Sequence, residues 1–361
     1  MSLEEICSEV RNFITVPDPK PNAFDSLARE VFAFQFEKNA PYRAFCEARG
    51  VTPENVASWG QIPAIVTSAF KELELSVLAR EERTTVFYSS GTTEQRRSRH
   101  FHSQQTLAVY EQSLLRWFEP HLCPEHTPLN FLVLAPRAAE APNSSLVHMF
   151  ERVAGVFGKT VTFAANVAAD GSWLIDYDKI STIRQDVPMI VCGTAFSFVH
   201  LCDYLNENDV RLSFPAGSRV FETGGYKGRS RTVPKAELHA MISERLAVPE
   251  SHIVTEYGMS EISSQAYDRT VGRTAQRIFE FSHWARATVV SMETGEAARD
   301  GETGLLRIVD LANVGSVCAI QTEDLAIRRG NGFELVGRVM AGRFGIALKF
   351  GKAVRKKDSL T

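Results

Sequence analysis

Residues 84–102 read TTVFYSSGTTEQRRSRHFH, and this stretch decides how the rest of the chain is interpreted. It begins with a β-rich run, TTVFY, which ends where a loop rich in Ser, Gly and Thr follows, because that composition does not continue a strand. A helix is predicted over residues 104–118, with Ser103 as its N-cap. From here to about residue 260, short apolar strands alternate with helical segments. Alternation of this kind predicts an α/β fold whose parallel sheet is flanked by helices.

The remaining parts of the chain have different sequence patterns. Residues 1–83 are mostly helical by periodicity, and we expect this segment to pack on the main domain. Residues 84–284 are predicted to form the α/β core. Residues 285–338 contain strand-like runs separated by Gly-rich turns, which indicates a smaller β-rich subdomain. Residues 339–361 are expected to be a short basic remnant at the C-terminus.

The composition is that of an ordinary folded protein without an excess of either charge. The 361 residues include 40 Lys and Arg against 43 Asp and Glu, so the formal net charge is −3. A chain without a basic excess has no global field for nucleic acid, and we expect no such partner. The longest near-apolar stretch, residues 189–201, is too short to cross a bilayer. Six scattered cysteines lack the spacing of a disulfide framework, which indicates reduced thiols and a cytoplasmic protein.

The loop after the first strand of the core carries groups that bind phosphate. Its hydroxyl donors and its flexible glycine are Ser89, Ser90, Gly91, Thr92 and Thr93. Glycine allows close backbone approach, and successive N–H groups in such a turn form an anion-binding nest. Arg97 follows and can supply charge-assisted hydrogen bonds. The pattern fits a polyphosphate, although an ordinary polar hairpin with a solvated basic edge has the same composition.

Two further loops follow predicted strands, at the edge where open α/β sheets bind ligands. Gly224 and Gly225 would let a planar group lie against bare backbone, and a simple tight turn is the alternative. In the second loop, Tyr257 can stack on a base and Ser260 can bond a phosphate oxygen. Glu261 can ligate Mg²⁺, which prefers one or two carboxylates together with phosphate oxygens, although a single Glu is more often a surface charge.

Three motifs together resemble those of the adenylate-forming (ANL) superfamily, which includes acyl-CoA synthetases, adenylation domains and luciferases. YSSGTTEQRRSRH (88–100) resembles the phosphate loop of that family, with Glu94 in place of Gly and Arg97 in place of Lys. EYGMSE (256–261) matches the motif Y-G-x-[ST]-E. GETGLLRIVDL and IQTEDLAIRRGNGFELVGR resemble the later part of the pattern, with Glu323 in place of Gly.

The resemblance implies the large N-terminal domain of this superfamily, with helix-flanked, mostly parallel sheets, a small β-rich subdomain and a truncated C-terminal tail. Residues 84–284 would then bind nucleotide and acyl group. The catalytic residues would be Arg97, Ser260 and Glu261, and Glu261 would also bind Mg²⁺. Residues expected at the adenine are Gly224, Gly225, Glu256, Tyr257 and Gly258.

The resemblance also assigns the ribose and the acyl pocket. Asp324 and Arg338 are expected at the ribose, since a carboxylate that accepts two vicinal hydroxyls suits that sugar. His148, Thr194 and Phe196 are expected to line the acyl pocket. For His148 and Phe196, ordinary burial in the core is an equally open interpretation.

Within the superfamily, four segments resemble the acyl-protein synthetase (LuxE-type) group. They are IPAIVTSAFK (62–71), PNSSLVHM (142–149), ETGGYKGR (222–229) and EYGMSEISSQAY (256–267). Those enzymes use ATP to activate a fatty acid as acyl-AMP, hold it as a thioester and pass it to a reductase. The resemblance therefore implies ATP and Mg²⁺ as cofactors, a carboxylic acid, most simply a fatty acid, as substrate, and an acceptor protein, a carrier protein or CoA.

Several alternatives stay open from the sequence. Acyl-protein synthetases use a cysteine close to the C-terminus, and no cysteine follows Cys318 here. An acyl- or aryl-CoA ligase, a carrier-protein ligase or a non-catalytic nucleotide-binding relative fits the same motifs. Ser68 and Lys71 match the S-x-x-K of β-lactam hydrolases, whose companion motifs are absent, so Lys71 is as readily placed at the nucleotide or acyl site.

Overall fold

The structure, a computed structural model, describes residues 1–89, 96–226 and 230–339. The helices are α1 (Leu3–Thr15), α2 (Ala23–Lys38), α3 (Ala40–Glu47), α4 (Ala69–Glu72), α5 (Gln104–Leu122), α6 (Ser145–Phe157), α7 (Tyr177–Ser181), α8 (Ala195–Glu207) and α9 (Lys235–Leu246). The first eight strands are β1 (Ile65–Val66), β2 (Thr85–Tyr88), β3 (Arg99–His102), β4 (Leu129–Val133), β5 (Gly158–Phe163), β6 (Ala165–Val167), β7 (Trp173–Ile175) and β8 (Met189–Thr194). The others are β9 (Arg219–Thr223), β10 (Ile253–Tyr257), β11 (Ala266–Tyr267), β12 (Glu280–Phe281), β13 (Ala285–Val290), β14 (Thr303–Asp310), β15 (Ala319–Arg329) and β16 (Gly332–Arg338).

The chain divides into two compact units that are interleaved in sequence. The first unit comprises residues 1–113, 259–264 and those from 278 onward. The second unit comprises residues 114–258 and 265–277. The chain therefore enters the first unit again for six residues immediately after Gly258 and returns to it finally at Ile278.

The second unit contains the parallel sheet. Its strands lie in the order β11-β10-β9-β8-β4-β5, and every neighbouring pair is parallel except β10 and β11. All residues of β8, β9 and β10 are buried, as expected for strands covered on both faces. Strands β8 and β9 share a hydrophobic core with residues of α8 and α9. Parallel pairing brings the carboxyl ends of β8, β9 and β10 to one edge of the sheet.

The first unit contains an antiparallel sheet in the order β1-β15-β14-β13, in which only β1 pairs in parallel, and β16 also pairs with β15. A separate hairpin is formed by β2 and β3. Helices α2 and α3 do not form one continuous helix, because α2 ends at Lys38 and α3 begins at Ala40 with Pro41 in its first turn.

The predicted fold class is what the structure shows, a helix-flanked, mostly parallel sheet and a separate β-rich part. The predicted boundaries at residues 83/84, 284/285 and 338/339 stay predictions. Residues 340–361 of the predicted C-terminal remnant lie outside the described residues. Among the helices that the structure describes, none is long and apolar enough to cross a membrane.

Gln35 connects α2 to the turn between β14 and β15. Its side-chain amide donates to the carbonyl oxygens of Asn313 at 2.8 Å and Val314 at 3.1 Å, and its oxygen accepts from the Cys318 N–H at 2.8 Å. The side chain is fully buried, so these backbone groups have no access to water as a substitute.

We expect Gln35→Leu to lower the free energy of unfolding by about 3 kcal/mol, because it leaves buried backbone groups without their partner. Urea unfolding followed by circular dichroism measures the change. The control is Lys38→Gln on the same helix, whose side chain is 45% exposed. A Gln35→Leu protein as stable as that control would contradict the structural role of Gln35.

Candidate active site

The hairpin of β2 and β3 holds the two ends of the hydroxyl-rich loop together. The Ser89 N–H donates to the Ser98 carbonyl at 3.1 Å, and the Ser98 N–H donates to the Ser89 hydroxyl at 3.0 Å. Tyr88 and Arg99 form the last pair of the β2–β3 ladder before the loop. The base of the loop is thus fixed on a hydrogen-bonded ladder, as a loop that binds a ligand through its backbone requires.

Most of the loop itself is not described. The predicted phosphate-binding residues Ser90, Gly91, Thr92 and Thr93, together with the substituted Glu94, lie outside the described residues. Arg97 is described and is exposed at the end of the loop. Their predicted roles therefore rest on the sequence.

The segment 259–264, which carries Ser260 and Glu261, contacts this same hairpin. The Ser260 hydroxyl donates to the Tyr88 carbonyl at 3.3 Å. The His100 ring donates from Nδ1 to the Ser260 carbonyl at 2.7 Å. Burial lowers the pKa of His100 to about 4, so the ring is neutral at pH 7 and its proton lies on Nδ1. Within the first unit, the structure thus brings the second predicted motif to the base of the first.

A second set of buried side chains holds segment 259–264 from the other end. The Asp310 carboxylate accepts from the Ser263 N–H at 2.8 Å and from the Ser264 hydroxyl at 2.6 Å. The Asn313 amide donates to the Glu261 carbonyl at 2.9 Å. Asp310 and Asn313 are fully buried. Because both partners of each bond are removed from water, the segment has little freedom to move.

The Glu261 side chain lies in a setting that favours a bound cation. It is 7% exposed, and this burial raises the pKa of its carboxyl. The Ser98 hydroxyl and the positive charges of Arg338 and Lys71 act in the opposite direction. A buried carboxylate with a raised pKa is stabilised when a cation reaches it.

These surroundings fit Mg²⁺ better than they fit a structural metal. Among the described residues, no group of three or more His, Cys, Asp or Glu side chains could hold a metal ion. Mg²⁺ is commonly bound by one or two carboxylates, with phosphate oxygens and water completing its shell. A single buried carboxylate such as Glu261 is therefore compatible with a Mg²⁺ ion that arrives with a polyphosphate.

The two residues expected at the ribose are paired with each other. Asp324 on β15 and Arg338 on β16 are opposite each other in the ladder, and Arg338 Nε donates to Asp324 Oδ1 at 2.9 Å. The Asp324 N–H in turn donates to the Thr322 hydroxyl at 3.1 Å. Asp324 is 6% exposed, and the hydrogen bond from the arginine holds its carboxylate in one orientation.

In the second unit, the strand ends bring the predicted adenine residues together. Thr223 pairs with Thr194 on one side and with Glu256 on the other. The Thr223 hydroxyl donates to the Glu256 carboxylate. Gly224, directly after the strand, has φ +66°, a left-handed conformation in which a side chain would be strained. Apart from its two chain neighbours, none of the residues that the structure describes lies within 4 Å of the position of a Cβ at Gly225.

Gly258 leaves space that the Glu256 carboxylate occupies. A Cβ at Gly258 would lie 2.1 Å from Glu256 Oε1, a distance that real atoms do not reach. Tyr257, between them, is 7% exposed. A side chain at position 258 would therefore displace the Glu256 carboxylate from this position.

Of the residues expected at the acyl pocket, Thr194 lies at a strand end, and Phe196 and His148 lie on helices. Thr194 caps α8 through Ser197, and a Cβ at Gly224 would approach both Thr194 and Leu146 within about 4 Å. Phe196 is 5% exposed and packs against Trp173 at 5.8 Å between ring centroids. His148 is half-buried on α6. The acyl pocket remains a prediction.

The motif EYGMSE spans both units. Its first three residues, with Gly224, Gly225 and the predicted acyl residues, belong to the second unit, and Met259, Ser260 and Glu261 belong to the first. His100, Asp310 and Asn313, the side chains that hold segment 259–264, were not predicted from the sequence. For Asp310 and Asn313, the sequence signal is their position as two polar residues inside the otherwise apolar run IVDLANV (308–314). That signal indicates burial, but their partners are known only from the fold.

No protein-family model matches this sequence. Two curated proteins are similar over most of its length. The chain is 23% identical over 348 residues to a long-chain-fatty-acid–luciferin-component ligase of Aliivibrio fischeri, covering 89% of this chain and 85% of that protein. It is 21% identical over 353 residues to the ligase of the same name from Vibrio harveyi, covering 92% and 88%.

Solved structures of a 2-hydroxyisobutyryl-CoA ligase share the fold. Its open conformation, in complex with 2-HIB-AMP and CoA, superposes with a TM-score of 0.64 at 12% identity, covering 88% of this chain and 75% of that chain. Its postadenylation state with 2-HIB-AMP gives a TM-score of 0.65 at 13% identity, covering 91% and 74%. At this identity the comparison shows the fold alone.

We expect Asp310 to make stability depend on pH. Burial raises the pKa of Asp310 to about 6 against the hydrogen bonds that it accepts, from an ordinary value of 3.8. Because the folded state then binds the proton more tightly than the unfolded chain, the free energy of unfolding falls as pH rises from about 4 to about 6. Asp310→Asn should remove about 3 kcal/mol of this fall.

Urea unfolding at a series of pH values from 4 to 7.5 measures the effect. The matched control is Asp178→Asn, at an exposed aspartate, which should keep the pH dependence of the unaltered protein. If the Asp310→Asn protein shows the same pH dependence as the control, the raised pKa of the buried Asp310 carboxyl is ruled out.

Proposed function

We propose that this chain, which has the fold of the adenylate-forming enzymes and is related to the long-chain-fatty-acid–luciferin-component ligases, activates a carboxylic acid with ATP. A carboxylate oxygen attacks the α-phosphorus of ATP, the acyl–O–P bond forms, and pyrophosphate leaves with the electrons of the broken P–O bond. A thiol then attacks the acyl carbon, and AMP leaves. The chain is thus an acid–thiol ligase that works through an acyl-adenylate.

One observation supports this proposal above the others. Ser260 is held against the carbonyl of Tyr88, at the base of the hydroxyl-rich loop, and Glu261 follows it immediately. A hydroxyl and a buried carboxylate at the base of a polyphosphate loop are what in-line attack at an α-phosphate needs. The alternative interpretation, an ordinary polar hairpin, does not account for the position of these two side chains.

The roles follow from the chemistry of each side chain. The Ser260 hydroxyl, whose single proton is donated to the Tyr88 carbonyl in this structure, would turn to donate to an α-phosphate oxygen, and Arg97 would bind the triphosphate charge. Glu261 would hold Mg²⁺, which would supply positive charge to the phosphate oxygens. Asp324, fixed by Arg338, accepts hydrogen bonds from the ribose hydroxyls. In the second unit, Tyr257 and the Gly224 turn offer an aromatic side chain and bare backbone to the adenine.

The substrate is proposed to be a fatty acid. Both curated relatives are named as ligases of long-chain fatty acids, and the similarity covers most of both chains. We assign the acyl chain to the region of Thr194, Phe196 and His148, of which Phe196 offers a buried apolar ring.

The acceptor thiol is proposed to come from another molecule. The six cysteines of this sequence are all buried, and burial raises the pKa of each thiol, so none is available as a thiolate. CoA, a carrier protein and a cysteine of a partner protein each supply such a thiol. ATP and reduced thiols coexist in the cytoplasm, where we place the reaction.

Exchange of labelled pyrophosphate into ATP tests the activation step. We expect exchange that depends on an added fatty acid, and a loss of at least about 100-fold in Glu261→Gln, which removes the charge that holds the metal. The control is Glu47→Gln, at an exposed glutamate of α3. Nucleotide binding without exchange, for any fatty, aryl or amino acid, would favour a non-catalytic relative and contradict the proposal.

Intact-protein mass spectrometry tests the acceptor. After incubation with ATP and a fatty acid, we expect no acyl group covalently attached to the chain. Addition of CoA, a carrier protein or an acceptor protein should then yield a thioester on the molecule that is the true acceptor. A hydroxylamine-sensitive acyl group on any of the six cysteines would contradict an external thiol.

A further inference from the structure

We propose that Trp284 and Ser113 are positioning residues for Ser260 and Glu261, because they begin a buried series of hydrogen bonds that ends on the segment 259–264. This inference rests on the proposed function and deepens it by naming side chains that act through the segment rather than on the substrate. We call the series the serine relay. Its members all belong to the first unit and are Trp284, Ser113, Ser264 and Asp310.

Backbone pairing fixes the two ends of the serine relay on neighbouring strands. In the ladder of β13 and β14, Ala285 is opposite Asp310. Trp284 directly precedes Ala285, and its carbonyl accepts from the Leu311 N–H at 3.0 Å. The indole and the carboxylate therefore start from neighbouring positions of one sheet, and the sheet sets the distance between them.

Two serine hydroxyls join the indole to the carboxylate. The Trp284 Nε1–H donates to the Ser113 hydroxyl at 2.7 Å. The hydroxyls of Ser113 and Ser264 are 3.0 Å apart, and the Ser264 hydroxyl donates to Asp310 Oδ1 at 2.6 Å. Ser113 lies on α5, and Ser264 is the last residue of the segment 259–264. The serine relay thus ties the segment to a helix and to the sheet.

Each hydrogen bond of the serine relay has one direction when Asp310 is ionised. An indole N–H only donates and a carboxylate only accepts, whereas a hydroxyl carries a single proton. Ser264 gives its proton to Asp310, so it accepts the proton of Ser113. Ser113 in turn accepts from Trp284. Hydrogen bonds that run in one direction polarise one another, so the indole strengthens the bond that reaches the carboxylate.

The Ser264 hydroxyl is the main support of the Asp310 carboxylate. Burial raises the pKa of Asp310, and the hydrogen bond from the Ser264 hydroxyl opposes this rise more strongly than the bonds from backbone N–H groups do. Those backbone donors include Ser263, whose N–H donates to Oδ2 at 2.8 Å, and Ala312, whose N–H donates to Oδ1 at 3.0 Å. The serine relay therefore ends on the most important donor to this carboxylate.

The far side of Asp310 leads to the backbone of Glu261. The Ser263 N–H is bound to Asp310, and the Ser263 hydroxyl donates to Asn313 Oδ1 at 3.2 Å. The Asn313 amide then donates to the Glu261 carbonyl at 2.9 Å. A shift of the Asp310 carboxylate is thus passed, through contacts of 3.2 Å or less, to the residue that we assign to the metal.

Burial makes the serine relay a rigid support. Each of its four side chains is 2% exposed or less, so water does not replace a lost partner. A buried network in which every group is satisfied rigidifies the elements that it joins. Stability alone could be supplied by apolar side chains of similar volume. Holding the segment in one position is what the polar groups add.

Amide hydrogen exchange, followed by mass spectrometry of peptides that cover residues 259–264, tests the positioning without any substrate. Ser113→Ala removes the link between the indole and Ser264. We expect amides of the segment to exchange about 2- to 10-fold faster, as for the loss of one hydrogen bond, and the rest of the first unit to be unchanged. Trp284→Phe, which removes the N–H and keeps an aromatic ring, should change the exchange in the same direction.

The control is Val56→Ala, at a buried side chain of the same unit that lies outside the serine relay. It lowers stability by removing packing, so it should not single out the segment. Unchanged exchange of the segment in both relay variants would overturn the proposal. Faster exchange spread over the whole unit, as a general loss of stability produces, would overturn it as well.

A double variant tests whether Ser113 acts through Ser264. If the serine relay is continuous, Ser113→Ala in the background of Ser264→Ala should have no further effect on exchange of the segment, because the route to Asp310 has already been removed. Two serines that only pack independently predict effects that add. Additive effects would therefore contradict the serine relay.

Acid-dependent pyrophosphate exchange tests whether this positioning matters for the reaction. We expect Ser113→Ala to lower the rate about 10-fold and to raise the Mg²⁺ concentration that gives half of the maximal rate, because Glu261 is displaced. A smaller folded fraction lowers the rate but leaves that concentration unchanged, as Val56→Ala should show. Faster amide exchange in the segment with an unaltered rate and an unaltered Mg²⁺ dependence would reject the positioning role.

Failure of this inference and failure of the proposed function give different results. If the relay variants speed amide exchange of the segment but the unaltered protein shows no acid-dependent pyrophosphate exchange, the serine relay holds the segment and acid activation is rejected. If acid-dependent exchange is present and amides of the segment exchange alike in all variants, acid activation stands and the role of Trp284 and Ser113 is rejected.

Discussion

The hydrogen bonds that hold residues 259–264 are the constraint on which the first-unit part of the site depends. His100 binds the Ser260 carbonyl, Asn313 binds the Glu261 carbonyl, and Asp310 binds the two serines that follow. Each of these anchors is buried, so water cannot replace it at low cost. The anchors come from the hairpin on one side and from the end of β14 and the turn after it on the other, so the backbone of the segment is held from both sides.

This constraint explains why a carboxylate is tolerated where Glu261 lies. A free surface loop would turn the side chain to water, but here the backbone on either side is fixed and the carboxylate stays buried. The surrounding charges only partly offset the cost, since the pKa of Glu261 remains raised. The buried Glu261 carboxylate is therefore a group that a bound cation would stabilise.

The sequence predicted the sheet of the second unit well, because buried parallel strands such as β4 and β8 read as continuous apolar runs bounded by turns. The prediction from sequence was wrong where the buried side chains of a strand are polar. Residues 99–102 form β3, yet the side chains that point inward are His100 and His102, the reverse of an ordinary strand pattern. The hairpin of β6 and β7 was also missed, because strands of three residues are too short to show a period.

For the site, motif spacing named Ser260, Glu261, Asp324 and Arg338, whose chemistry is local to a turn or to facing strands. Their supports were not predictable, because Asp310 meets Ser263 across 47 residues of sequence and only the fold joins them.

The account is tested most directly by a crystal structure of the chain with Mg²⁺ and a non-hydrolysable analogue of ATP. It predicts the α-phosphate at the Ser260 hydroxyl, the metal on the Glu261 carboxylate and the ribose hydroxyls on Asp324. A nucleotide bound elsewhere, with these three side chains in contact only with protein, would contradict it.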